Sequence, residues 1–302
     1  MRIVSLLPSA TEVLCAIGLR QSLVGRSHEC DHPEGIDDIP VLTGPRPDER
    51  APDTAAAPDT TERATRVLSP YAIDAELLRS LEPDLVITQD LCAVSTADVE
   101  QALAEVAGPD VTLLALAPTT LRDVMHDILR IGQATGAARN AEAVLRTCES
   151  RISAIHQRAA SAPTRTVLTI EWFSPPMLGG LWTPELVSLV NGRALLARPG
   201  VKAPTVSVQT IAGTRPDVVL LKPCGLALPA TLAQARDFLP QLPEDWPPFA
   251  ARTIWATDGN AYFNRPGPRI VDSLEILAAC VHPERFSIPA TSAAVRVPAP
   301  ER

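Results

Sequence analysis

The chain has 302 residues, 46% of them apolar, and a formal net charge of −8. That length is long for one core and comfortable for two α/β lobes. The acidic balance argues against the clustered basic face that nucleic-acid binding needs, and no apolar run is long enough to span a bilayer.

Taken from the start, residues 3 to 7 read as a buried strand. No charged n-region, long apolar h-region or small-residue cleavage site precedes it, so the expected location is the cytoplasm. Ser9 with Glu12 three residues on has capping-box spacing, and the helix it starts should end at Gly18. A short strand follows at residues 23 to 25. Residues 43 to 68 are rich in Pro, Asp, Thr and Ala and read as a long exposed loop. A helix is predicted over 73 to 81, stopped by Pro83, and then a buried strand over 84 to 88. A helix near 96 to 106 and a strand over 111 to 116 complete the first half. Residues 119 to 161 read as almost continuous helix broken at Gly136, with Ala143, Leu145, Cys148, Ile152 and Ile155 at helical spacing.

The strand, turn, helix order then restarts. Strands are predicted over 166 to 170, 217 to 221 and 253 to 256, and helices over 184 to 190 and 270 to 279. Residues beyond about 286 read as a loose tail. One pattern repeats between the halves. Glu82-Pro83-Asp84 opens the apolar run Leu85-Val86-Ile87, and Arg215-Pro216-Asp217 opens Val218-Val219-Leu220. Each run leads into a cysteine, Cys92 or Cys224. Two ordered matches on either side of a long helix predict two similar lobes. The expected divisions are 1–137, a connecting helix at 138–161, a second lobe at 162–285 and the tail at 286–302.

Ligands of open α/β sheets sit beyond the carboxyl ends of the strands, so the loops there carry the candidate chemistry. Gly25-Arg26-Ser27-His28-Glu29-Cys30-Asp31-His32-Pro33 packs two imidazoles, a thiol and carboxylates into one loop. These are transition-metal ligand types, though a polar loop with an incidental Cys reads equally well. Cys92 and Cys224 each follow a buried strand, so His28, Cys30, Cys92 and Cys224 form one candidate metal set. Cys15, Cys148 and Cys280 lie on predicted helices and read as packing residues. In a chain with only 4% aromatic residues, Trp172, Phe173 and Trp182 cluster in one Pro-rich segment. Tyr262 and Phe263 lie in another with Arg265 and Arg269. Such loops can stack a flat ligand and meet its carboxylates, or can pack a lobe core. No P-loop, dinucleotide fingerprint, Gly-x-Ser-x-Gly elbow or helical metalloprotease motif is present.

Several of these stretches resemble one family. They are Arg2-Ile3-Val4-Ser5-Leu6-Leu7-Pro8-Ser9-Ala10-Thr11-Glu12, the Ser27 to Pro33 loop, Pro83-Asp84-Leu85-Val86-Ile87, Phe173 to Glu185 and Pro216-Asp217-Val218-Val219. Together they are similar to the cobalamin and iron-siderophore substrate-binding proteins of ABC importers, over about residues 2 to 285. The resemblance implies two α/β lobes joined by one long rigid helix, with a metal chelate in the cleft between them. The implied ligand-binding residues are His28, Glu29, Trp172, Phe173, Trp182, Tyr262 and Arg265. The Ser-His-Glu-Cys-Asp loop, the Pro-Cys-Gly turn and Tyr262 to Arg269 are similar to a branch without export signals that is labelled cobalamin-binding.

Two functions of different class follow. One is a cytosolic binding protein for a small-molecule metal chelate, most plausibly cobalamin or a related corrinoid. The other is a metal-dependent enzyme with zinc or iron at His28, Cys30, Cys92 and Cys224. A weaker third is a cofactor sensor or chaperone, its protein partner unknown.

Overall fold

The computed structural model describes residues 1–45, 71–89, 111–289 and 294–300. The helix expected near 96 to 106, most of the loop expected over 43 to 68, and Cys92 lie outside the described residues. The chain divides into two compact α/β units. The first comprises Met1–Ala117 and Met125–Leu145, the second Pro118–Val124 and Arg146–Arg302. The division therefore falls inside two helices rather than at a linker.

The first unit is built from β1 (Ile3–Ser5), α1 (Pro8–Ala16), β2 (Leu23–Arg26), β3 (Thr43–Pro45), β4 (Tyr71–Ile73), α2 (Ala75–Ser80), β5 (Leu85–Gln89) and β6 (Thr112–Leu116). It also takes most of α3 (Leu121–Ala134) and the start of α4 (Ala138–Ala159). Four strands pair in parallel in the order β2-β1-β5-β6. Val4, Leu6, Leu42, Leu78 and Val86 pack into one buried cluster. Each such side chain contributes about 1.5–3 kcal/mol on leaving water. The expected capping box at Ser9 and Glu12 does not form. Pro8 occupies the first turn of α1 and the preceding Leu7 makes no side-chain cap, so Ser9 and Glu12 sit inside the helix and are buried. Proline at that position needs no donor and already has a helical φ, which is enough to start the helix. Gly18 ends it at φ +84°, a left-handed conformation that suits glycine.

The second unit holds β7 (Arg165–Phe173), β8 (Pro176–Leu178), α5 (Thr183–Leu189), β9 (Gly192–Ala194), α6 (Val208–Ala212) and β10 (Val218–Leu221). After these come α7 (Leu228–Phe238), α8 (Pro247–Ala251), β11 (Ile254–Thr257), α9 (Ile270–Val281) and β12 (Ala294–Arg296). Its parallel strands run β9-β7-β10-β11. That is the first unit's order again: the second strand flanks the first on one side, and the third and fourth follow on the other. β7 is longer than the sequence predicts. Its start pairs with β9 and its end turns back as a hairpin onto β8. The loose tail is corrected as well. Residues 294 to 296 form an antiparallel edge strand on β11, with Trp255 opposite Arg296, and the guanidinium of Arg296 stacks 4.9 Å from the Trp255 ring centroid. Leu168, Ile170, Val219, Leu221, Phe238 and Trp246 belong to the buried core of this unit.

The repeated Pro-Asp has a shared physical role. Asp84 Oδ2 accepts the Arg2 N–H at 2.6 Å, and the Asp84 N–H donates to Arg2 O at 2.8 Å. In the second unit, Asp217 Oδ2 accepts the Thr166 N–H at 2.7 Å and its hydroxyl at 2.8 Å, and the Asp217 N–H donates to Thr166 O at 3.0 Å. In both, an aspartate at the amino end of the third strand of the unit's parallel order clips the amino end of the central one. The registers that follow, Ile3 with Leu85 and Val167 with Val218, are thereby pinned.

A capping box does occur, at the start of α3. The Thr120 hydroxyl accepts the Asp123 N–H, and Asp123 Oδ2 accepts both the Thr119 and Thr120 N–H groups at 2.9 Å. The Thr119 backbone bond is the main force holding the Asp123 carboxyl at about 2, below its ordinary 3.8, with partial burial opposing it and Thr120 adding to it. A depressed carboxyl stabilises the fold above its unfolded value, and that contribution is lost as pH falls through the folded one. Asp123→Ala is expected to cost about 1 kcal/mol at neutral pH. The difference from wild type should narrow as pH drops from 3.8 towards 2. Urea unfolding at several pH values checks this, and a difference independent of pH would contradict it.

Candidate ligand-binding site

In the first unit, β2 runs out at Arg26 into the histidine loop. The buried Arg26 side chain braces that loop from beneath, with Nη1 donating to Cys30 O at 2.7 Å and Nε to Ile36 O at 3.1 Å. Thr43 organises its surface. Its hydroxyl lies 2.9 Å from Ser27 Oγ, accepts the His28 N–H at 3.0 Å and sits 2.6 Å from His28 Nδ1. The other ring nitrogen, Nε2, is 3.3 Å from Glu29 Oε1, and both side chains are partly exposed. His28 and Glu29 are thus brought together as a polar pair, oriented by Thr43 through Nδ1.

Cys30 is different. It is buried, and Thr11 Oγ1 lies 3.1 Å from its sulfur and 2.9 Å from Ser5 Oγ. Its thiol belongs to the packing between the loop and α1. Among the described residues, no three His, Cys, Asp or Glu side chains are grouped closely enough to hold a metal ion. Cys224 is exposed in the second unit. The helix cysteines sit as expected: Cys148 and Cys280 are buried and Cys15 is half-buried, with burial pushing all three thiols up.

In the second unit, three segments converge at the carboxyl ends of β7, β10 and β11. Lys222, the residue after β10, is fully buried. Its Nζ donates to Glu171 Oε2 at 2.6 Å and to Asn264 Oδ1 at 2.7 Å. The Asn264 amide donates in turn to Lys222 O at 3.0 Å and Gly259 O at 2.8 Å. The Cys224 N–H donates to Glu171 O at 3.1 Å. Sequence reasoning missed this cluster. The available signal was a lysine, one of two in the chain, directly after the buried run Val218 to Leu221.

The aromatic residues divide. Trp172 is 37% exposed, with its indole N–H donating to Ser174 O at 3.1 Å. Tyr262 is half-buried, with the Arg269 guanidinium 5.8 Å from its ring centroid. Phe173 and Trp182 are packed into the unit, the second of the two arrangements that the sequence allows for this segment. Phe173 is buried against Phe238, ring centroids 5.3 Å apart, because β7 continues to it and points it inward. Trp182 is buried with its indole N–H donating to Phe263 O at 2.8 Å. Arg265 is also buried, with Nη2 donating to Asn260 Oδ1 at 3.1 Å.

The sequence profile described as periplasmic binding protein matches residues 3–241. The chain belongs to that family. Its relatives include a protein named vitamin B12-binding protein from Yersinia pestis (strain Pestoides F), 24% identical over 278 residues, covering 89% of this chain and 82% of that protein. Among solved structures, a periplasmic heme binding protein from Pseudomonas aeruginosa superposes with a TM-score of 0.74 at 20% identity, covering 98% of this chain and 99% of that one. The periplasmic vitamin B12 binding protein of Vibrio cholerae gives 0.66 at 20% identity, covering 93% and 96%. At these identities the solved structures establish the fold, two-lobed and α/β, of the periplasmic binding protein family. Among the described residues, no helix is long and apolar enough to cross a membrane.

Proposed function

We propose that this periplasmic-binding-protein family member binds a metal chelate of the corrinoid class at the loops beyond the carboxyl ends of its parallel strands. The observation that carries the reading is in the second unit. A buried Lys222 gathers Glu171 and Asn264 at that end of the sheet, and Trp172, the next residue along β7 from Glu171, is partly exposed. A fixed polar cluster and an exposed aromatic residue at the same strand end are what a large, flat, amide-edged ligand requires. The relatives named for vitamin B12 and heme support the ligand class. His28 and Glu29 offer a second polar pair at the carboxyl end of the first unit's sheet.

Cyanocobalamin added to the purified protein is expected to bind stoichiometrically, with a shift in its visible spectrum and quenching of Trp172 fluorescence. Trp172→Ala should weaken binding about tenfold, the equivalent of a stacked aromatic contact. No spectral change at millimolar corrinoid would overturn the reading. So would stoichiometric zinc or iron in the protein as purified, which would favour metal-dependent catalysis instead.

A further inference from the structure

We propose that Glu171, held in place by Lys222, is the specificity determinant of this site: a fixed acceptor for neutral N–H donors on the ligand edge that rejects ligands edged with carboxylates. This rests on the chelate-binding reading above and adds which chelates are selected.

The carboxylate of Glu171 is held from behind. Oε2 takes the Lys222 ammonium at 2.6 Å, and the Glu171 backbone carbonyl takes the Cys224 N–H at 3.1 Å. Lys222 is itself fixed, because Asn264 accepts from its Nζ and donates to its carbonyl. Oε1 makes no hydrogen bond among the described residues, and the Glu171 side chain is 25% exposed. An acceptor whose orientation is already set loses little entropy on binding a donor. The lysine that fixes it is fully buried, so its charge is spent inside the protein. The guanidinium of Arg265 is likewise buried and donates to Asn260. What this end of the sheet shows a ligand at Glu171 is therefore carboxylate oxygen. Corrinoids carry peripheral amides whose NH₂ groups donate to such an oxygen. Haem carries carboxylates, which would face it oxygen to oxygen with like charge. Discrimination comes as much from that repulsion as from the matched bond.

The test is a set of absorbance titrations with cyanocobalamin, with its monocarboxylic acids made by hydrolysing one peripheral amide, and with ferric haem. Wild type should bind cyanocobalamin at least about tenfold more tightly than one of the acid isomers, the value of one charge-assisted hydrogen bond. In Glu171→Gln the preference should fall towards unity, because an amide can donate to a carboxylate. Lys222 acts as a positioning residue, so Glu171→Gln/Lys222→Met, which removes the buried charge together with its partner, should lose the same preference. Melting curves verify that each variant is folded, and the ratio between ligands is a readout that general loosening would not shift. A preference retained in both folded variants would overturn the proposal. If wild type binds cyanocobalamin and its acids equally, only the specificity inference falls. If it binds no corrinoid, the chelate-binding reading falls and takes the inference with it.

Discussion

Lys222→Met is expected to lower the unfolding free energy by about 3 kcal/mol, the low end of the cost of breaking a buried ion pair. Lys222 is fully buried, and its ammonium donates to Glu171 at 2.6 Å and Asn264 at 2.7 Å. Methionine fills much the same volume, so packing is largely kept and the loss is electrostatic. Two acceptors aimed at the interior then lose their donor, and one of them is charged. The cost falls at the low end because Glu171 keeps some contact with water. Adding Glu171→Gln should recover about 1 kcal/mol or more, since no uncompensated charge remains. Urea unfolding of wild type, both single variants and the double variant closes the cycle. Strictly additive effects would show that the two groups do not act as a pair.

Gly259→Ala should be at least as damaging, by about 3 kcal/mol or more. A β-carbon at position 259 would lie 2.0 Å from Pro223 O, 2.7 Å from Pro223 C and 2.8 Å from Lys222 C. Those atoms are backbone, so no side chain can swing away and the whole segment after β10 must move. The same movement drags Lys222 from its acceptors and displaces Gly259 O, which accepts from Asn264. Stability should therefore fall, and the corrinoid binding proposed above should fall with it. Gly213→Ala is the control. There the nearest atom to an added β-carbon is 3.5 Å away, an ordinary contact, and the change should stay within about 0.5 kcal/mol. Comparable melting temperatures for the two variants would contradict the close approach at Gly259.

The features legible in the sequence are those carried by neighbours along the chain. Pro83-Asp84 and Pro216-Asp217 mark the starts of β5 and β10 because proline breaks the preceding segment and the apolar run must be buried on both faces of a parallel sheet. The break at Gly136 between α3 and α4 is local for the same reason. What stayed hidden depends on pairing at long range. Glu171 and Asn264 reach Lys222 from 51 and 42 residues away, and no spacing rule connects them. The edge strand β12 exists only because β11 offers a partner, so its Ala- and Pro-rich surroundings read as tail. The aromatic segment was half legible. Whether Trp172 or Phe173 faces outward turns on how far β7 runs past Ile170, and the Pro-rich sequence predicted a stop where the strand continues. His28 and Glu29 stood out by composition, but Thr43, which orients them, belongs to a strand that the sequence reading took for loop.

The aspartate clips at Arg2 and Thr166 give the two ends of each sheet separate duties. Registration is settled at the amino ends, by a carboxylate and a backbone exchange that touch nothing at the opposite edge. The carboxyl ends are then free to change residue by residue without the strands losing their alignment. On the binding reading proposed above, the same frame presents different ligand contacts through changes in the segments of the partly exposed His28, Glu29, Glu171 and Trp172, with the buried Lys222 left in place. A library confined to those segments would sample ligand range while the frame stays constant, and a library that also varied Asp84 or Asp217 would lose folded members first.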